Sequence, residues 1–269
     1  MKKHLIILLI ALIFSTLSGC APTGMPIIPS DDADSRWQAF VSRSSGPGSY
    51  DFLSGSLRFG PKDDTRRVTY TMWSSLPEAG RQDTAPQKIA ERTIRIDVRA
   101  GLGISAGSML FSDGGMTLLV PSERRIFIGS SAESSLRTLL GLSLPFGIQN
   151  LNDFLAGRFF GALDAPKPER YEKLKNGSFV YRYRVSGGYA EIELDPQALP
   201  IRCKGPAGWE LLVTFDEKGL PAKLSGTSVK NDEEQKFVLL VKERGPSPSE
   251  SSSAMRLDIP AGFKVYSLD

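Results

Sequence analysis

The sequence predicts a mainly β chain of the α+β class, built on one large curved antiparallel sheet with two short helices against it. Three observations carry this. Beyond about Asp51 most segments alternate apolar and polar residues with period two; only two short stretches have a helical period; and Gly, Pro, Ser and Asp clusters separate the segments.

The strands follow in order. Arg66 to Ser75 and Thr93 to Arg99 come first, and in the second Ile94, Ile96 and Val98 alternate with Arg95, Asp97 and Arg99. One face of such a strand is dry and the other wet. Ser108 to Gly114 reads as a strand running into a turn, and Met116 to Val120 and Arg124 to Ile128 flank a Pro121-Ser122-Glu123 turn. Phe179 to Val185 sets Phe179, Tyr181, Tyr183 and Val185 against Arg182 and Arg184. Further strands are expected at Ala190 to Leu194, Glu210 to Asp216, Lys223 to Ser228, Lys236 to Lys242 and Ala254 to Ile259. Ser130 and Glu133 form a capping box for a helix carrying Leu136, Leu139 and Leu140 and ending at Gly141. Asn150 caps a second helix, where Leu151, Phe154 and Leu155 share a stripe and Gly157 is the stop. Residues 245 to 253 form a polar low-complexity loop.

Ahead of the sheet the chain reads as an export signal. Lys2 and Lys3 precede an apolar run from Leu5 to Phe14, too short to span a bilayer comfortably, and small residues at Ser18 and Gly19 precede Cys20. Leu17-Ser18-Gly19-Cys20 resembles the lipobox of bacterial lipoproteins, in which the signal is removed before the cysteine and the cysteine is acylated. The expected organisation is therefore a signal over 1–19, a lipidated Cys20 with a Pro, Asp and Ser-rich tether over 20–35, and one folded domain over 36–269. Ala21 after the anchor, rather than Asp, points to the outer membrane, facing the periplasm.

Removing the signal constrains chemistry. The only histidine of the chain, His4, leaves with it, which excludes Ser-His-Asp and Cys-His catalysis and His-ligated zinc. Cys203 is left without an intrachain partner, so a packed core has to supply the stability. Lys2 and Lys3 leave too, lowering the net charge from +3 to +1, too little to suggest nucleic acid.

Gly103-Ile104-Ser105-Ala106-Gly107 fits the nucleophile-elbow pattern, and Gly101 to Ala106 fits a dinucleotide fingerprint, but both patterns require a helix after the loop and a strand is expected there. The acidic pairs Asp31-Asp32 and Asp63-Asp64 and the Asp232-Glu233-Glu234 run read as solvated loop charge, without calcium-loop spacing. No cofactor or metal is expected, and the reading is non-enzymatic. A curved sheet whose helices do not fill its concave side leaves an apolar pocket suited to acyl chains; the alternative is that the helices fill it and it is only a core.

Several segments are similar to the LolB family, outer-membrane lipoproteins that receive other lipoproteins and insert them, and to the related fold of their soluble carrier LolA. They are the lipobox at Cys20, Trp37, Phe52 to Phe59, Ile94 to Gly103, and above all Leu139 to Gly157, with Gly141, Leu144, Pro145, Leu151, Leu155 and Gly157 at the expected places. The resemblance covers roughly 37 to 165, and the chain after Arg170 is longer than usual for the family. It implies an incomplete antiparallel β-barrel closed by short helices around a hydrophobic cavity that takes up lipoprotein acyl chains. The implied partners are those acyl chains, a periplasmic LolA-like carrier and outer-membrane lipids, with the protein a monomer. Leu102, on the loop after Ile94 to Arg99, stands where the family exposes an apolar residue that enters the bilayer. The inward strand faces and helix stripes nominate Tyr70, Met72, Ile94, Ile96, Val98, Phe111, Leu118, Leu136, Leu140 and Phe154 as cavity residues. Two rivals stay open: a lipid-anchored binding or scaffold module of the same fold, and an enzyme using carboxylates or a Ser-Lys pair.

Overall fold

The computed structural model describes residues 32–43, 52–61, 64–75, 93–112, 114–130, 147–230, 233–246 and 255–268. Cys20, the helix expected from Ser130 to Gly141, and with it Leu136 and Leu140, lie outside them.

Fourteen strands form one sheet. They are β1 (Phe52–Pro61), β2 (Arg66–Ser75), β3 (Thr93–Arg99), β4 (Ser105–Ser112), β5 (Gly115–Val120), β6 (Arg125–Gly129), β7 (Arg170–Lys173), β8 (Phe179–Val185), β9 (Gly188–Leu194), β10 (Pro200–Lys204), β11 (Glu210–Phe215), β12 (Pro221–Lys230), β13 (Glu233–Gly245) and β14 (Lys264–Ser267). Their order in space is β14-β6-β5-β4-β3-β2-β1-β13-β12-β11-β10-β9-β8-β7, so the sheet is an open one with edges at β14 and β7. Every pairing is antiparallel except β14 with β6. The part of the chain beyond Arg170 thus prolongs the sheet past β1, and its last strand returns to cover the edge at β6.

Among the described residues three short helices accompany the sheet: α1 (Ala33–Ser42), α2 (Ile148–Leu155) and α3 (Phe159–Leu163). Helix α1 begins inside the stretch read from sequence as tether. Asp32 caps it by accepting from the Ser35 amide at 2.8 Å, and Ala33, Arg36, Trp37 and Phe40 are its buried residues. An arginine in the middle of the buried stripe obscures the helical period. Its guanidinium lies 4.6 Å from the Phe179 ring centroid and donates to the Gly177 carbonyl, while the Tyr181 hydroxyl donates to Ala33 O at 2.7 Å. Trp37 sits 5.0 Å from Tyr181 and 5.2 Å from Phe40, so α1 is fastened by aromatic packing to β8.

Helix α2 starts at Ile148 after Gly147, placing Asn150 inside the helix and not at its cap. Its end is as expected. Arg158 N donates to Asp153 O at 2.9 Å and Gly157 N to Phe154 O at 3.0 Å, the paired bonds of a Schellman motif, with Gly157 at φ +85°. A side chain there would also press on Leu220.

The strand expected over Ala254 to Ile259 is not one. Residues 255–260 run without ladder pairing, and the Arg256 carbonyl accepts from Arg95 Nη1 at 2.7 Å. Pro260 has no amide to give a ladder, and Met255, Leu257 and Ile259 mimic alternation along a crossing segment. The final strand follows at Lys264. Short β7 and β10, and helix α3, have too few residues to show a period and were not anticipated from sequence.

Cys203 is buried within the core and pairs with no other cysteine; burial pushes its thiol up to about 12. Two outcomes are expected. A thiol reagent such as DTNB should leave Cys203 untouched at pH 8 in the folded Cys20→Ser protein and titrate it fully in denaturant. Phe40→Ala should cost about 3–5 kcal/mol in urea unfolding, since Phe40 is wholly buried against Trp37 and Phe160.

Candidate apolar cavity and exposed loop

The inner face of β1 to β4 is assembled in cross-strand rows. Leu57 stands opposite Val68 on β2 and Leu239 on β13. Tyr70 stands opposite Val98, and Met72 opposite Ile96, which in turn faces Met109 on β4. Each residue pairs with one nearest neighbour in the next strand, about 5 Å away, so the rows form a continuous apolar floor. Ile148, Leu151 and Leu155 project from α2 onto this floor, and between them lies a cavity of about 50 Å³ lined by all eleven of these residues.

Among the described residues no polar atom faces the cavity. The one hydroxyl among its lining side chains, on Tyr70, is turned away and donates to Leu240 O at 3.2 Å. Gly55 makes room for that ring, because a Cβ there would lie 2.7 Å from the hydroxyl oxygen and 1.9 Å from Leu240 O. Burial holds the Tyr70 phenol above its ordinary range despite the opposing pull of Arg244, so the hydroxyl remains a neutral donor. The void is large enough to hold water yet offers it no partner, and such cavities stay dry or take up apolar ligands.

Helix α2 is held over the floor by a buried polar contact as well as by packing. Asn152 Nδ2 donates to Ser74 Oγ at 3.2 Å, one inward position beyond Met72 on β2, and Arg158 pairs with Asp153 at 2.6 Å at the helix end. In hydrocarbon surroundings a misplaced Asn would leave both groups unsatisfied, so this bond fixes how the helix sits.

Of the residues nominated from sequence, Tyr70, Met72, Ile96 and Val98 line the cavity. Ile94, Phe111, Leu118 and Phe154 are buried in the same core but away from it. Leu57, Val68, Met109, Ile148, Leu151, Leu155 and Leu239 line it without having been nominated. Met109 was legible as the cross-strand partner of Ile96; Leu57 and Leu239 required the β1 to β13 pairing.

Leu102 lies on the connection between β3 and β4, in a 3-10 turn over Gly101–Gly103. Its side chain is 102% exposed, Ile104 two residues on is 64% exposed, and the backbone of Leu102 is left-handed, φ 62° and ψ 18°. A leucine in that conformation is strained by roughly 1–2 kcal/mol, and no packing offsets the strain. Ser105 opens β4 in extended conformation, so the elbow pattern carries no helix behind it. Among the described residues there is no cluster of His, Cys, Asp and Glu able to hold a metal ion, and no helix long and apolar enough to cross a membrane.

No protein-family model and no curated protein matches the sequence. Solved structures do match its fold. A DUF1329 family protein from Desulfovibrio piger superposes with a TM-score of 0.56 at 12% identity, over 84% of this chain and 98% of its own. A LolA superfamily protein from Nitrosomonas europaea superposes with a TM-score of 0.52 at 12% identity, over 80% of this chain and 95% of its own. The open antiparallel sheet is therefore a fold that this chain shares with these two proteins.

Proposed function

We propose that this protein is a LolB-like, non-enzymatic lipoprotein of the outer membrane that accepts acylated lipoproteins in its apolar cavity and inserts them into the bilayer. The observation that carries this reading is the cavity between the β1 to β4 floor and α2, lined by apolar side chains among the described residues, in a fold similar to that of a LolA superfamily protein. Acyl chains on Cys20 would hold it at the membrane permanently, since two or more chains anchor stably where one does not. A periplasmic LolA-like carrier would deliver the cargo.

The cavity's size assigns a task to α2. Pockets that enclose small-molecule ligands usually span about 300–1,000 Å³, and this one is about 50 Å³. In the empty form α2 closes the incomplete barrel and fills most of the space a chain would take; uptake then displaces Ile148, Leu151 and Leu155 from the floor. Met72 and Met109 at the base are unbranched and adapt to such a change. The second support is Leu102: strained, fully exposed and on a loop tip, it has no stabilising duty, and a leucine that enters lipid during delivery explains both features.

Each element has its own test. In the Cys20→Ser protein, Ile96→Trp should fill the cavity and weaken binding of a fluorescent fatty-acyl probe at least tenfold, whereas Leu212→Trp on the exposed face should leave it unchanged. Equal binding by both variants would end the cavity reading. Leu102→Asn, whose side chain tolerates left-handed backbone, should be at least as stable in urea as the parent protein. In cells depleted of the parent protein it should nevertheless leave other lipoproteins in the inner membrane or periplasm; a normal distribution would overturn the insertion role.

A further inference from the structure

Strand direction brings three connections to one end of the sheet: β1 to β2, β3 to β4, and β5 to β6. Leu102 and Ile104 occupy the middle one. The 3-10 turn over Pro121–Glu123 packs against β4, and β14 starts at this same end, with Lys264 N donating to Arg124 O at 3.0 Å.

Among the described residues, the charged side chains around that apolar tip are mostly of one sign. Arg66 and Arg67 open β2, Arg99 closes β3, Arg124 follows the 3-10 turn and Lys264 opens β14; all five are exposed. None of the five has an ion-pair partner among the described residues. Of the neighbouring carboxylates among the described residues, Glu123 is paired with Arg125 at 2.9 Å and Glu234 with Lys236 at 3.4 Å, and Asp64 is exposed beside them. Six strand ends at less than 5 Å spacing put these cations within about 25 Å of one another, on both sides of Leu102. The chain as a whole is almost neutral once the signal is removed, so this is a local concentration, and an apolar tip inside a basic collar is the arrangement that suits an anionic lipid surface.

We propose that Arg66, Arg67, Arg99, Arg124 and Lys264 form a docking collar for anionic phospholipid headgroups. The collar orients the protein on the bilayer with the β3 to β4 loop pointing inward, and sets a preference for acidic over zwitterionic membrane. The proposal rests on the reading of Leu102 as a membrane-entering residue but concerns a separate property, the charge selectivity of the surface that Leu102 meets.

The test is co-flotation of the full-length Cys20→Ser protein with vesicles of phosphatidylcholine alone or with 30% phosphatidylglycerol. The variants are Arg66→Gln/Arg67→Gln/Arg99→Gln and, as a control of equal charge change, Lys175→Gln/Lys218→Gln/Lys242→Gln at the opposite end of the sheet. Each cation at an anionic surface is worth about fivefold in partitioning. The collar variant should therefore lose on the order of a hundredfold on the acidic vesicles, change little on the neutral ones, and depend less steeply on salt between 50 and 300 mM than the parent protein. The control, more than a Debye length away, should stay within a few-fold of the parent protein. Equal losses in both triple variants, or none, would overturn the collar; so would loss of an acidic protein partner with vesicle binding intact. Leu102→Asn separates the two readings: it should weaken binding to both vesicle types and leave the acidic-lipid preference in place. A collar that fails while Leu102→Asn still weakens binding leaves the insertion reading standing.

Discussion

The inner face of the sheet has to be covered by something, and what covers it governs the rest of the structure. A sheet with edges at β14 and β7 cannot bury its apolar side by closing on itself. Strands β1 to β4 supply Leu57, Tyr70, Met72, Ile96 and Met109 to one floor, and the helix packed on them, α2, is only eight residues long. Eight residues rise about 12 Å, less than the width of four strands. Among the described residues, the void lies beneath this short cover. In the other half of the sheet α1 and α3 bring Trp37, Phe40, Phe159 and Phe160 together with Tyr181 and Phe215, and aromatic bulk fills the corresponding space. Among the described residues, one half of the sheet thus carries a solid aromatic core, and the other a floor covered by one short helix.

This division fits what each half is free to do. Filling a cavity strengthens a fold, and an apolar void of this kind commonly costs a protein stability in proportion to its volume. The aromatic cluster around α1 and β8 offsets that cost at a distance from the cavity. The buried bond between Asn152 and Ser74 adds specificity: apolar contacts between α2 and the floor are interchangeable, whereas a directional hydrogen bond between buried polar groups favours one seating of the helix.

Much of the architecture was legible in the sequence, and the reasons for the gaps are physical. Alternation in Thr93 to Arg99 and Phe179 to Val185 located strands with one wet face and one dry, and the Gly157 stop ended α2 where a left-handed residue was needed. Strand β1 gave a weaker signal because both of its faces are largely covered, so small and apolar residues stand side by side in SGSLRFG. Face assignment found Tyr70, Met72, Ile96 and Val98, since period two tells inward from outward. It did not tell which inward residues border the void. Ile94 and Phe111 point inward like Ile96 and sit in solid core two positions along, and Leu57 and Leu239 meet only through a pairing that spans most of the chain. Helix α1 was hidden by its buried arginine, whose charge reads as solvent exposure until the Phe179 ring and the Gly177 carbonyl are placed beside it.

The small cavity bears on how cargo could leave as well as enter. Sheltering a chain of about sixteen carbons from water is worth on the order of 12 kcal/mol, whether the shelter is a pocket or a bilayer. A rigid, fully formed pocket would hold such a chain nearly as well as lipid does, and transfer would have almost no driving force. A floor already occupied by Ile148, Leu151 and Leu155 behaves differently, because those contacts must be broken for the chain to enter and are recovered when it leaves. On the proposed function, the cost of displacing α2 would be subtracted from the pocket's affinity and from nothing in the bilayer, so the helix packed on the floor would also make release into the membrane downhill, with no nucleotide required.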